Sequence, residues 1–293
     1  MVTVRAPATS ANLGSGFDVF GVALEHPADV VQVEKAPETT IDVTGAGSQY
    51  IPEDPEKNTV GAVARALEAP AHISIDKGIR PSSGLGSSAA SAAGAAVALN
   101  ELYDRGYSPK ELVPIAAKGE AVVSGTPHAD NVAPAILGGF TIATDQGFTQ
   151  IEADISLVVC LPDLVVSTRK ARSVLPSQAP LDDVVDTVGR ATTLTAGMCR
   201  SDPVLVGNGL DDRIVTPVRA ELIDGYDSVR NAALEAGAHG VTISGAGPGI
   251  LGVCPPEDQR SVANAMIDAF DDNGVMARAF QTGIGNGAEL CSW

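Results

Sequence analysis

The stretch Arg80-Pro81-Ser82-Ser83-Gly84-Leu85-Gly86-Ser87-Ser88-Ala89-Ala90 runs straight into Ser91-Ala92-Ala93-Gly94-Ala95-Ala96-Val97-Ala98-Leu99-Asn100. Glycine and serine give way to alanine, the strongest helix former, so the pattern predicts a loop that opens a helix over about 87–103. Two glycines let the backbone take conformations other residues resist and approach an anion closely. The first N–H groups of a helix have no partner within it and sit at the positive end of its dipole. Phosphate fits such a place, and serine hydroxyls beside it can ligate the Mg²⁺ that travels with a nucleotide. A Walker A loop is excluded, because no lysine follows these glycines. Gly84-Leu85-Gly86-Ser87-Ser88-Ala89 formally fits the dinucleotide fingerprint, but that motif belongs after the first strand of a repeating βαβ unit. Several short strands precede it here, so the match is coincidental. The bland alternative is a capped helix that merely packs tightly.

Outward from this loop, short apolar runs alternate with polar breaks. Residues 1–6 alternate like a strand that Pro7 should end, and 8–16 read as a loop. Strands are expected at 19–24, 30–34, 41–44 and 72–75, with a helix over 58–69 opened by Asn58 as N-cap. Past the loop come a helix over 108–124, a polar loop over 125–134 and a strand at 140–143. The pattern restarts with a strand at 155–161 and helices near 181–199, 203–210 and 218–236. A strand at 241–243 leads into Ser244-Gly245-Ala246-Gly247-Pro248-Gly249, followed by a strand at 250–254, a helix at 257–273 and a strand at 275–280. The class is α+β in two packed halves. The best break lies near 146–155, dividing the chain into 1–150 and 151–293.

Composition narrows the function. Hydrophobic residues make up 44% and charged residues 19%, as in a folded globular chain, and 36 acidic against 19 basic residues leave a formal charge of −17. Such a surface repels nucleic-acid backbones and anionic membranes, so neither is expected as a partner. Only six of the basic residues are lysines. Carboxylates stay hydrated in concentrated salt, which screens their mutual repulsion, so this surface suits a salt-loaded, halophilic cytoplasm. Cysteines at 160, 199, 254 and 291 form no CxxC pair and do not cluster with His26, His72, His128 or His239, against structural zinc or a disulfide framework. No run resembles a signal peptide or reaches the ~18–20 apolar residues of a membrane span. A cytoplasmic protein is expected.

Three motifs in order carry a resemblance. Residues 7–18 (PATSANLGSGFD), the loop at 81–90 and the glycine segment at 244–248 together resemble the GHMP kinases, and their spacing covers essentially the whole chain. Galactokinase would show a sugar-binding signature that is missing, and mevalonate kinase a carboxylate where Asn131 stands. Residues 11–21, 125–134 and 167–176 are similar to the members that phosphorylate homoserine. The resemblance implies an N-terminal half like the second domain of ribosomal protein S5, with a left-handed βαβ crossover. It also implies a ferredoxin-like C-terminal half, a site in the cleft between them and a homodimer.

The activity it implies is ATP-dependent phosphorylation of L-homoserine with Mg²⁺. The phosphate loop would comprise Pro81, Ser82, Ser83, Gly84, Leu85, Gly86, Ser87, Ser88, Ala89 and Ala90, with Asn58 and Thr59 toward the adenine. Ser88 and Glu120 would hold the metal. Arg172 and Arg219 would take the α-carboxylate, whose geometry suits a guanidinium fork. Asp18 and Asn12 would take the ammonium, and His128, Asp130, Asn131 and Thr168 complete the substrate pocket. Asn131 and Arg172 are the catalytic candidates, Asn131 nearest the reacting hydroxyl; with no carboxylate there, no strong general base is implied. Taken singly, His128 would read as a loop histidine capping a backbone group, Arg172 and Arg219 as surface charges, and Glu120 as a solvated acid. Two other readings remain: a GHMP kinase acting on mevalonate-pathway compounds or shikimate, and a catalytically silent ligand-binding regulator. An amino-acid pocket needs both charge signs, which separates it from the other kinases.

Overall fold

The first strand does not stop at Pro7. In the computed structural model, which describes residues 1–124 and 129–291, β1 (Val2–Ala11) pairs antiparallel with β2 (Phe20–Lys35), and the register shifts between Pro7 and Thr9. Proline has no N–H to give the ladder, and a bulge is where a sheet tolerates one. The same irregularity joins the two runs expected at 19–24 and 30–34 into one bent strand, because Thr9 pairs with Ala23 and Pro7 with Ala28.

Next come β3 (Thr40–Gly45), α1 (Thr59–Ala66) and β4 (Ala71–Lys77), with β3 and β4 parallel. Asn58 caps α1 as expected, its Oδ1 accepting from the Val60 N–H at 3.1 Å. Then α2 (Ser87–Leu102), α3 (Pro109–Ser124), α4 (Ala129–Leu137), β5 (Phe140–Thr144) and β6 (Gly147–Ile151) follow. Much of the loop expected at 125–134 is therefore helix. Val132, Ala133, Ala135 and Ile136 supply its buried face, and Asp130 favours its N-terminal turn. Pro134 removes the N–H that would bond the Asp130 carbonyl, and that oxygen packs against Gly21, where a Cβ would lie 1.9 Å from it.

The second half holds β7 (Ser156–Pro162), α5 (Thr168–Ser173), α6 (Leu181–Arg200), α7 (Pro203–Gly209), α8 (Thr216–Ala220) and α9 (Tyr226–Glu235). It ends with β8 (Gly240–Ile243), β9 (Ile250–Val253), α10 (Gln259–Asp272), β10 (Ala277–Gly283) and β11 (Glu289–Leu290). The helix expected at 218–236 is two, parted before Gly225, whose φ of +86° no helix continues through. The last long strand lies at 277–283 instead of 275–280. Neither α5 nor β11 was expected from the pattern.

A seven-stranded sheet runs β11-β1-β2-β4-β3, with β5 on β2 and β6 on β5. A four-stranded antiparallel sheet runs β10-β7-β9-β8, so its strands lie in the order fourth, first, third, second, the ferredoxin-like pattern. The helices α1–α4 pack on the first sheet and α9 and α10 on the second. Between the sheets, Ala6, Leu13 and Phe140 of one half meet Leu157, Leu194 and Val206 of the other. In α2, Ala89, Ala90, Ala92, Ala93, Ala95, Ala96 and Ala98 are all fully buried. A helix enclosed on nearly every side needs small residues. A Cβ on Gly94 would stand 2.7 Å from Val31 Cγ2.

Candidate active site

A cavity of about 350 Å³ lies where the loop before α2, the turn after β1 and the glycine loop after β8 converge. In the loop at 81–88, Ser82, Gly84 and Gly86 take left-handed backbone, with φ of +57°, +81° and +61°. Gly84 is pressed against the glycine loop, since a Cβ there would lie 2.5 Å from the Ser244 carbonyl oxygen. Ser244 Oγ donates to the Gly84 carbonyl at 2.7 Å, and the Thr9 N–H to that of Leu85 at 3.1 Å. Ser83 Oγ is buried and has no hydrogen-bond partner among the described residues. The glycine loop thus braces the loop at 81–88 from behind, and the first turn of α2 opens into the cavity through Ser87 and Ser88.

At the opposite wall the charges are paired. Arg172, on α5, grips Asp18 through both fork nitrogens, Nη1 to Oδ2 at 3.0 Å and Nη2 to Oδ1 at 2.9 Å. Asp18 follows the tight turn at 12–16 with φ +57°, and its N–H is held by Asn12 Oδ1 at 3.0 Å. Asn12 Nδ2 donates to the Gly245 carbonyl at 2.8 Å, so this amide ties the turn to the glycine loop. Arg219 is buried on α8, donating to the Gly245 carbonyl at 2.9 Å and the Ala171 carbonyl at 3.3 Å. Phe17 lies beneath both guanidinium groups, at 5.7 Å for Arg172 and 5.0 Å for Arg219. Burial pulls the Arg219 pKa down, opposed by the charge of Asp18. Asp130 is buried in the first turn of α4; burial, then repulsion from Asp18, lifts its pKa to about 6. Asn131 lines the cavity beside it, its Oδ1 accepting from Thr9 Oγ at 2.9 Å.

The structure gathers most of the sequence-derived candidates around this cavity: Asn12, Asp18, Asn58, Asp130, Asn131, Thr168, Arg172 and Arg219, together with Ser88, Glu120 and the loop at 81–88. Four of the candidates differ in role. The Leu85, Ala89 and Ala90 side chains belong to the core, leaving only their backbone to the loop. Asn58 spends its side chain on the α1 cap and on the Pro52 carbonyl, at 2.7 Å, so it shapes the wall. His128 lies outside the described residues. Ser88 Oγ donates to Glu120 Oε1 at 3.4 Å. A hydroxyl and a carboxylate beside the cradle are hard oxygen donors of the kind Mg²⁺ takes. Tyr50, Ile51 and Pro52 give the cavity an apolar end near Thr59.

Sequence reasoning missed Phe17, although it stands inside a quoted motif, and it missed Asp212. The Asp212 carboxylate accepts from the Ile214 and Val215 N–H groups, both at 2.8 Å, and so sets the start of the helix that carries Arg219. Lys77 and Asp29, buried against the start of α2, were also missed; only the proximity of Lys77 to the loop could have flagged the pair.

This fold, with a glycine-serine loop at the head of a buried helix facing a pocket of paired charges, is that of a small-molecule kinase. The chain belongs to the GHMP kinases, matching the GHMP kinases N terminal domain over residues 57–139 and the GHMP kinases C terminal region over 194–272. It is 72% identical to the homoserine kinase of Haloarcula marismortui over 99% of this chain and 100% of that one, and 69% identical to the homoserine kinase of Natronomonas pharaonis with the same coverage. A crystal structure of homoserine kinase from Cytophaga hutchinsonii, 34% identical, matches with a TM-score of 0.91 over 99% of this chain and 97% of that one. Membership in this family brings ATP as the phosphoryl donor.

Proposed function

We propose that this protein transfers the terminal phosphoryl group of ATP to the side-chain hydroxyl of L-homoserine, giving O-phospho-L-homoserine and ADP on the way to threonine. The observation that carries the substrate is the bidentate Asp18–Arg172 pair beside buried Arg219. An α-amino acid presents the same two charges as a complement: its carboxylate suits the guanidinium forks and its ammonium suits Asp18, with Asp130 behind it. Mevalonate or shikimate would use only the cationic side.

The substrate hydroxyl attacks the terminal phosphorus as the bond to the bridging oxygen of ADP breaks, and its proton leaves with the phosphorylated product or to water. Phosphoryl transfer demands positioning and charge neutralisation more than covalent chemistry. The N–H groups at the start of α2 neutralise phosphate oxygens, and Arg172 anchors the substrate so that its far end reaches past Asn131. With an amide at 131, the chain presents no strong base to the hydroxyl there. Ser88 and Glu120 would hold Mg²⁺, which when bound offsets phosphate charge. The division into halves at 1–150 and 151–293, a homodimer and a cytoplasmic location complete the reading. The location is supported by four unpaired cysteines.

The test is a coupled ADP-release assay with Mg-ATP in concentrated KCl, offering L-homoserine beside mevalonate and shikimate. Turnover with homoserine alone is expected. Turnover with either rival would overturn the substrate, and nucleotide binding without turnover on any of the three would point to a silent regulator.

A further inference from the structure

We infer that Lys77 is a positioning residue for nucleotide binding: with Asp29 it locks the neck of the phosphate loop and fixes where the first turn of α2 aims its N–H groups. The inference rests on the reading of residues 81–90 as the nucleotide's phosphate cradle.

Lys77 is the last residue of β4, and its side chain is 1% exposed against 0% for Asp29, with which it pairs. Its Nζ donates to the Ser87 carbonyl and to Ser91 Oγ, both at 2.8 Å, on the first turns of α2. The Asp29 carboxylate accepts from the Gly78 and Ile79 N–H groups at 3.1 Å each, and from Ser91 Oγ at 2.9 Å. Ser87 Oγ closes the ring by donating to the Ile79 carbonyl at 2.8 Å. One buried ion pair therefore holds the residues that enter the loop and those that leave it. The loop between, with Ser83, Gly84 and Gly86 against the cavity, is anchored at both ends by that knot.

Stability alone does not account for this arrangement. Desolvation offsets most of the attraction in a buried ion pair, and two apolar side chains of similar size often serve a fold as well. Burial lowers the Lys77 pKa and raises that of Asp29, each charge opposing the shift in the other. Lys77 and Ser91 both line the cavity, so the knot sits directly against the space that would hold the phosphates.

The full-length chain allows a test that separates positioning from support. Lys77→Met and Ser91→Ala are compared with the double variant Asp29→Leu/Lys77→Met, which replaces the pair by apolar side chains. Mg-ADP affinity is measured by calorimetry, the KM for L-homoserine in the kinase assay, and Tm by melting. The expected result is Mg-ADP binding weakened about tenfold by Lys77→Met and about threefold by Ser91→Ala, with the homoserine KM changed by less than about twofold. The double variant should melt near the wild type yet bind Mg-ADP as poorly as Lys77→Met. If affinity returned together with Tm in the double variant, or if Ser91→Ala bound as tightly as wild type, the positioning role would be overturned. Should Lys77→Met fail to fold, the other two variants carry the same comparison. A wild-type chain that bound no Mg-ADP would overturn the cradle reading, and this inference with it.

Discussion

Asp130 shows how one buried carboxyl can tie activity to pH. Its pKa is lifted from 3.8 to about 6, first by burial and then by the negative charge of Asp18. A carboxyl whose folded pKa lies above its unfolded one favours folding while protonated. That contribution is complete below pH 4 and is lost as pH rises through 6. Two pH units correspond to about 3 kcal/mol. Asp130→Asn should therefore gain Tm relative to the wild type between pH 5 and pH 8, read from paired melts. In the proposed function, ionised Asp130 adds a second anion beside the ammonium that Asp18 holds, so kcat/KM for homoserine should climb through pH 6 and reach a plateau above it. Two variants melting with the same pH dependence, or a flat kcat/KM across that range, would remove Asp130 from this role.

The loop at 81–88 and the helix it opens form the element where local sequence spoke most clearly. The glycines at 84 and 86 and the alanines behind them report requirements met within a few residues: left-handed backbone in the loop and small volume in the helix. Gly86 makes the sharper test. Its φ of +61° costs an L-residue roughly 1–2 kcal/mol, and a Cβ there would lie 2.0 Å from Thr9 Oγ and 2.8 Å from Asn131 Oδ1. Gly86→Ala should lower Tm by several degrees and also reduce kcat, because the Thr9–Asn131 hydrogen bond at 2.9 Å must give way. A variant that lost Tm but kept full kcat would show that Asn131 need not be held there. What local sequence could not show lies at long range. The Lys77–Asp29 pair joins residues 48 apart, and nothing near Asp29 marks it. The continuity of β1 through Pro7 depends on its pairing with β2, and α4 depends on a buried face that polar residues at its start conceal. The pocket residues Asp18, Arg172 and Arg219 were legible only by resemblance, because as single letters they look like any surface charge.

At the scale of the whole molecule, the −17 charge must be reconciled with a core built largely from alanine and valine, and with aromatics at only 4%. Small side chains bury little apolar area each, so the favourable term per residue is modest. Against it stands the mutual repulsion of a surface with 36 acidic residues and only six lysines. Salt acts on the second term: the screening length falls from about 10 Å at 0.1 M to about 3 Å at 1 M. The longer distance spans neighbouring helices on the surface, whereas the shorter one leaves only charges in near contact. Buried pairs such as Lys77–Asp29 are screened far less, so the salt response reports the surface. Tm should therefore rise steeply with KCl between 0.1 M and 1 M and more slowly beyond, as the screening length falls below the spacing of the carboxylates. Sodium chloride at equal ionic strength should act similarly, since the effect is screening and not a specific site. A cooperative melt in dilute buffer, with a Tm indifferent to KCl, would mean that the acidic surface sets solubility alone and that the alanine-rich core suffices without salt.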